Sequence, residues 1–144
     1  MGRAQRLQAA RVESVIGPKR VKQTKADRMD SYELCVLRDL STCQMCHKPG
    51  LVQMDHRQNR DKFNTVTSNL QALCMACHQY KTENPAWGYL TGWGVPRWAD
   101  PSAWAVPRMV AGQWVQVLLD DVGGWVVVTE QEARKSRDGS GTVW

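Results

Sequence analysis

The chain has 144 residues, with 19 Lys and Arg against 14 Asp and Glu, for a formal charge of +5. That length suffices for one domain with a modest core, or for a small domain plus an appended segment. No apolar run reaches the ~20 residues of a membrane span, and no apolar stretch follows the charged start Met1-Gly2-Arg3-Ala4-Gln5-Arg6. A membrane anchor, a secretory leader and a myristoyl group (Arg6 stands where that signal needs Ser or Thr) are therefore not expected, and a soluble, cytoplasmic protein is.

The excess charge is concentrated at the start. Residues 1–30 hold Arg3, Arg6, Arg11, Lys19, Arg20, Lys22, Lys25 and Arg28 against Glu13, Asp27 and Asp30, and the rest of the chain balances. A basic arm of this kind suits phosphate contact on a polyanion; the plainer alternative is a solvated tail. A weakly apolar helix can run over roughly 3–15 before a break at Gly17-Pro18. Residues 31–84 form the second region. Ser31 can cap a short helix running to about Leu40, with Leu34, Leu37 and Leu40 facing inward. Cys35, inside that pattern, reads as a small buried core residue.

Residues 85–144 change character. All seven tryptophans lie there, and Pro85, Pro96, Pro101 and Pro107 make the first half irregular. Trp114–Leu119 and Trp125–Thr129 flank Asp120–Gly124, which predicts a β-hairpin. Residues 131–144 are polar and expected to fray. Packing against the core is the reading preferred for the tryptophans, ahead of partner docking and base stacking.

Region 31–84 contains the chemistry. Cys43-Gln44-Met45-Cys46 and Cys74-Met75-Ala76-Cys77 form two CxxC pairs with 27 residues between them. Each pair lets two thiolates converge on one ion, and four thiolates close the tetrahedral shell of a structural zinc. A reducing compartment favours this over disulfides. His47 follows Cys46 and reads as a surface side chain. Between and beside the pairs stand Asp55-His56, Asn69 and His78. A carboxylate and imidazoles suit a Mg²⁺, Mn²⁺, Ni²⁺ or Zn²⁺ ion with open positions, and an imidazole outside the metal shell can take a proton from water near neutral pH. On a helix Cys77 and His78 point about 100° apart, so one can face the zinc and the other a reaction centre. Lys81 shares the face of His78.

The run Cys43-x2-Cys46, Asp55-His56, Asn69-Leu70-Gln71-x-Leu73-Cys74-x2-Cys77-His78-x2-Lys81-Thr82 resembles the HNH endonucleases, especially short phage and prophage members. The resemblance covers about residues 31–84. It implies an α+β protein with a small ββα-metal core and a zinc clamp, preceded by a basic helical arm and followed by a Trp-rich segment ending in a hairpin. It implies His56 as general base, Asn69 as the residue orienting it, and Asp55 and His78 as ligands of a catalytic divalent ion. Double-stranded DNA is the implied substrate, with no small-molecule substrate. The large terminase subunit is the implied partner if the protein is phage-encoded, in which case it works in the host cytoplasm. Where many members have an apolar pair and a proline after Asp-His, this chain has Arg57-Gln58-Asn59-Arg60. Arg57, Arg60, Lys62 and Lys81 are the candidate phosphate contacts. The rival reading is a zinc-stabilised nucleic-acid-binding module without catalysis, which leaves Asp55, His56, Asn69 and His78 unexplained.

Overall fold

The computed structural model describes residues 21–138. The helix expected over 3–15 and the basic residues from Arg3 to Arg20 lie outside the described residues. No described helix is long and apolar enough to cross a membrane.

The first described helix, α1 (Lys25–Asp39), starts earlier than Ser31 because Thr24 and Asp27 form a capping box. Thr24 Oγ1 accepts from the Asp27 amide, and the Asp27 carboxylate accepts from the Thr24 amide. The expected leucine stripe is not its inner face, since Leu37 and Leu40 are 65% and 78% exposed. The buried residues are Cys35 and Asp39. Asp39 accepts a hydrogen bond from the Ala72 amide, while Arg38 pairs with Asp39 and donates to the carbonyls of Thr67 and Leu70. The helix is docked by polar contacts with the neighbouring backbone, which apolar periodicity does not reveal. Burial, followed by the nearby Asp39 charge, pushes the Cys35 thiol up to about 12, so it packs as a neutral residue.

Two short strands follow, β1 (Gln53–His56) and β2 (Leu70–Leu73). They are antiparallel, with Gln53 opposite Leu73 and His56 opposite Leu70. Helix α2 (Met75–Glu83) starts directly after β2, with Cys74 between them as its N-cap. This ββα order carries both CxxC pairs and the Asp-His to one place. Helix α3 (Pro85–Thr91) has proline in its first turn, where a missing N–H costs nothing, and ends at Gly92 with φ 95°. Only glycine fits there, because a Cβ would collide with the Ala105 carbonyl.

The C-terminal part forms a three-stranded antiparallel sheet of order β3 (Val106–Val110), β4 (Gln113–Leu119) and β5 (Trp125–Val128). The expected hairpin is the β4–β5 pair, closed by the Asp120 carboxylate accepting from the amides of Val122 and Gly124. Strand β3 was hidden by Pro107, which an edge strand tolerates. The end expected to fray instead begins with helix α4 (Glu130–Ser136), started by a capping box between Thr129 and Glu132. One apolar cluster joins the two halves of the chain: Cys43 and Leu73 pack with Trp93, Val106, Val117 and Leu119. Trp93 and Trp104 are buried, whereas Trp98, Trp114 and Trp125 keep large exposed areas.

Arg57 ties the halves a second way. Its side chain, expected on DNA, is 2% exposed. Nη1 donates to the carbonyls of Ser68 and Pro101, both at 2.9 Å. Nη2 donates to Gly92 at 3.1 Å and Trp104 at 2.5 Å, and Nε to Gly92 at 3.3 Å. The planar guanidinium thus spends its fork on four backbone acceptors and has no face left for a phosphate. Burial, then the charges of Arg108, Arg38 and Arg137, hold its pKa well below the usual arginine value. Arg57→Met keeps the length and strands those carbonyls. The expected result is a loss of at least about 3 kcal/mol in urea unfolding.

Candidate active site and thiol cluster

The four cysteines Cys43, Cys46, Cys74 and Cys77 meet with all four Sγ atoms within 4.8 Å of one another. The first pair sits in the loop before β1 and the second at the start of α2. Register brings them together, because Gln53 at the head of β1 lies opposite Leu73 at the end of β2. The Gln44 amide also donates to the Ala72 carbonyl at 2.9 Å, which pins the first loop to β2. Cys46 and Cys74 are 3.8 Å apart, close to the separation of about 3.8 Å that Zn–S bonds of about 2.3 Å give in a tetrahedron. Burial resists ionisation of Cys43, but the backbone amides of Cys46, Cys74 and Met45 outweigh it and bring the thiol down to about 7. Burial and its thiol neighbours push Cys77 up. Four sulfurs this close could all ionise only around a cation, and the donor set fits zinc. His47 is exposed and packs edge-on against Trp114.

The second cluster centres on Asp55, whose side chain is 2% exposed. Oδ1 lies 2.8 Å from His78 Nδ1. Oδ2 accepts from Lys81 Nζ at 2.8 Å and from Gln71 Nε2 at 3.0 Å. Helix α2 therefore presents Cys77 to the thiol cluster and His78 to Asp55, as the helical rotation requires. The His78 side chain is 42% exposed, so the Asp55–His78 pair opens to solvent on one side only. An oxygen and a nitrogen 2.8 Å apart match adjacent positions on an ion with ligand distances of about 2.1 Å, whose neighbouring donors are about 3 Å apart. The spacing of the pair is compatible with two ligands of a divalent ion. Lys81 also donates to the His56 carbonyl at 2.9 Å. With a side chain 12% exposed, it braces the site from within, in place of the expected phosphate contact.

His56 closes β1 beside Asp55. Burial and then the Arg60 charge hold its pKa below the usual imidazole value, which favours the neutral base at pH 7. Its Nε2 lies 3.0 Å from Thr65 Oγ1, and the Tyr32 ring of α1 meets it edge-on at 6.3 Å. Asn69 was expected on the imidazole, but its side chain goes elsewhere. Its Oδ1 accepts from the Gln58 amide, and its Nδ2 donates to the carbonyls of Gln58 and Asn64. Asn69 thus cinches the loop that follows His56. Arg60 and Lys62 are exposed on that loop.

Three residues outside the expected set hold this geometry. Gln71 donates to both Asp55 and the Trp93 carbonyl, and its Oε1 accepts from Arg108 Nη2 at 3.3 Å. Arg108, on β3, lies 5.0 Å over the Trp93 ring. Thr65 touches the imidazole. The Gln71 amide, standing opposite Asp55 in the strand register, could have been inferred once β1 and β2 were paired. The positions of Thr65 and Arg108 depend on loop and sheet packing, for which the chain carries no local signal.

Cys74→Ser removes one thiolate, so it should lose its zinc by elemental analysis and melt at least about 10 °C lower, at roughly 2–4 °C per kcal/mol. In comparisons with known proteins, residues 43–84 match the family model described as HNH endonuclease. No curated protein and no solved structure matches the chain. The match spans both cysteine pairs, Asp55-His56 and His78, and residues 43–84 are an HNH endonuclease domain with a tetracysteine cluster that could hold zinc.

Proposed function

We propose that the protein is a metal-dependent DNA endonuclease that hydrolyses phosphodiester bonds by general-base activation of water. One observation carries this reading: the Asp55 carboxylate lies 2.8 Å from His78, His56 follows it directly on β1, and Lys81 is bonded both to Asp55 and to the His56 carbonyl. A zinc-stabilised module that only binds nucleic acid gives no reason for a buried carboxylate with so many partners next to a neutral, depressed imidazole. The phage setting and the large terminase subunit as partner rest on the resemblance alone and gain no support from the fold.

His56 takes a proton from a water molecule, and the water oxygen attacks phosphorus as the bond to the 3′ oxygen breaks. The departing 3′ oxygen takes a proton from solvent, so the products are a 5′-phosphate and a 3′-hydroxyl. Asp55 and His78 would hold a catalytic divalent ion (Mg²⁺, Mn²⁺, Ni²⁺ or Zn²⁺), whose chemistry would be to neutralise charge developing on oxygen as the ester bond breaks. Lys81 and Gln71 fix the Asp55 carboxylate, so the ligand does not reorganise during the reaction. Exposed Arg60 and Lys62 meet the DNA backbone.

His56→Ala should nick supercoiled plasmid about 10²–10⁴-fold more slowly than wild type while retaining its zinc. Removing the divalent ion with EDTA should stop nicking in wild type. Nicking by His56→Ala at the wild-type rate would remove the base assignment. For the phosphate contacts, Arg60→Ala or Lys62→Ala should each lower the slope of log affinity against log salt by about 1 in a duplex-binding titration. An unchanged slope would place those charges off the DNA path.

A further inference from the structure

We infer that Thr65 and Gln23 are positioning residues that set which nitrogen of His56 accepts the proton, and that the segment preceding the family-matched region thereby completes the active site. This rests on His56 acting as the general base.

His56 Nε2 is 3.0 Å from Thr65 Oγ1. Among the described residues, its other ring nitrogen, Nδ1, has no hydrogen-bond partner. A neutral imidazole has one N–H and one lone pair, and a hydrogen bond at one nitrogen decides the role of the other. If the threonine hydroxyl donated to Nε2, the proton would sit on Nδ1 and the only lone pair would be occupied. A base needs the reverse: Nε2–H donates to Oγ1, and Nδ1 keeps a free lone pair for water. Among the described residues, Thr65 is the one side chain in hydrogen-bond contact with the ring.

Thr65 is held in turn by Gln23. The Thr65 amide donates to Gln23 Oε1 at 3.0 Å, Gln23 Nε2 donates to the Phe63 carbonyl at 2.8 Å, and the Gln23 amide donates to the Lys62 carbonyl at 3.0 Å. Arg28 of α1 donates to the Gln23 carbonyl at 3.1 Å. One glutamine thus binds the loop at Lys62, Phe63 and Thr65, and the same loop reaches the imidazole through the Thr65 hydroxyl. The matched family segment begins only at Cys43, so this support comes from elsewhere in the chain. The flanking residues Lys22 and Lys25 are exposed, one and two residues from the glutamine that braces the base.

The test uses full-length, zinc-loaded protein carrying ¹⁵N-labelled histidine. Long-range ¹H–¹⁵N spectra should give the Nε2–H tautomer for wild-type His56 and a mixture for Thr65→Val. Plasmid nicking by Thr65→Val should show a kcat about 3–10-fold lower at unchanged KM, the worth of one hydrogen bond. Thr65→Ser should restore both readings, and Gln23→Ala should lower kcat in the same range with zinc content and melting unchanged. A wild-type Nδ1–H tautomer overturns the inference. So does a Thr65→Val protein with wild-type spectrum and rate in a preparation where His56→Ala is inactive, and in that case the nuclease reading stands. Full nicking by His56→Ala overturns both.

Discussion

A sheet of two four-residue strands cannot hold itself together in water, and the candidate active site is built on one. The molecule answers by tying the sheet at both ends. At the Gln53/Leu73 end the four cysteines converge, so a single ion would join the loop before β1 to the start of α2. At the His56/Leu70 end the Arg57 amide extends the ladder by donating to the Asn69 carbonyl at 2.7 Å, and its guanidinium binds four more carbonyls. Asp55 and His56 lie between these ties. Their placement follows from the two ends being held, since the strands themselves contribute few bonds.

The cost of this design is buried charge. Arg38, Arg57 and Arg108 are all withdrawn from water, facing Asp39 and Asp55. Burial, offset in part by Asp39, lowers Arg108 to about 10, and its Nε has no hydrogen-bond partner. Buried ion pairs seldom add net stability over apolar packing, so their value here is positional. Arg108 fixes the Gln71 carbonyl oxygen, which leaves the Gln71 amide hydrogens to point at Asp55 and Trp93. The carboxylate is thereby oriented from a strand that lies outside the matched domain.

The sequence made the ligands legible because ligands must converge by spacing. The CxxC pairs and the consecutive Cys77-His78 carry their geometry in local turns and helical rotation, and the structure brings the four thiols together and His78 to Asp55. The β4–β5 hairpin was equally local, with β-branched runs around an Asp/Gly turn. What stayed hidden depends on distant partners. Asn69 and Arg57 have side chains whose roles are decided by which backbone lies near them, and nothing adjacent in the chain reveals that Arg57 meets Gly92, Pro101 and Trp104. Helix α1 departs for a related reason: its buried residues are Cys35 and Asp39, and of the expected leucines Leu34 is half-buried while Leu37 and Leu40 face water, so apolar spacing does not mark the docked face. The Thr24–Asp27 capping box is a local signal, and it sets the start of α1 well ahead of Ser31. Strand β3 was masked by a proline that only its edge position permits.

The departure after Asp55-His56 explains why the C-terminal part is there. An apolar pair at this point would pack the small core and stop. Arginine at position 57 instead needs acceptors that the ββα unit alone does not supply: Ser68 belongs to that unit, but Gly92, Pro101 and Trp104 come from beyond residue 84. Arg108 makes the reverse reach, from the C-terminal sheet to Gln71. With a guanidinium sent each way, neither half can be removed without stranding a buried charge or its acceptors in the other, which costs more than losing an apolar contact. The shared cluster of Leu73, Trp93, Val106 and Leu119 adds burial to the same seam. The C-terminal sheet therefore acts first as scaffold for Asp55 and the His56 loop, and an activity of its own would have to use the side chains this packing leaves outside, Trp98, Trp114 and Trp125 among them.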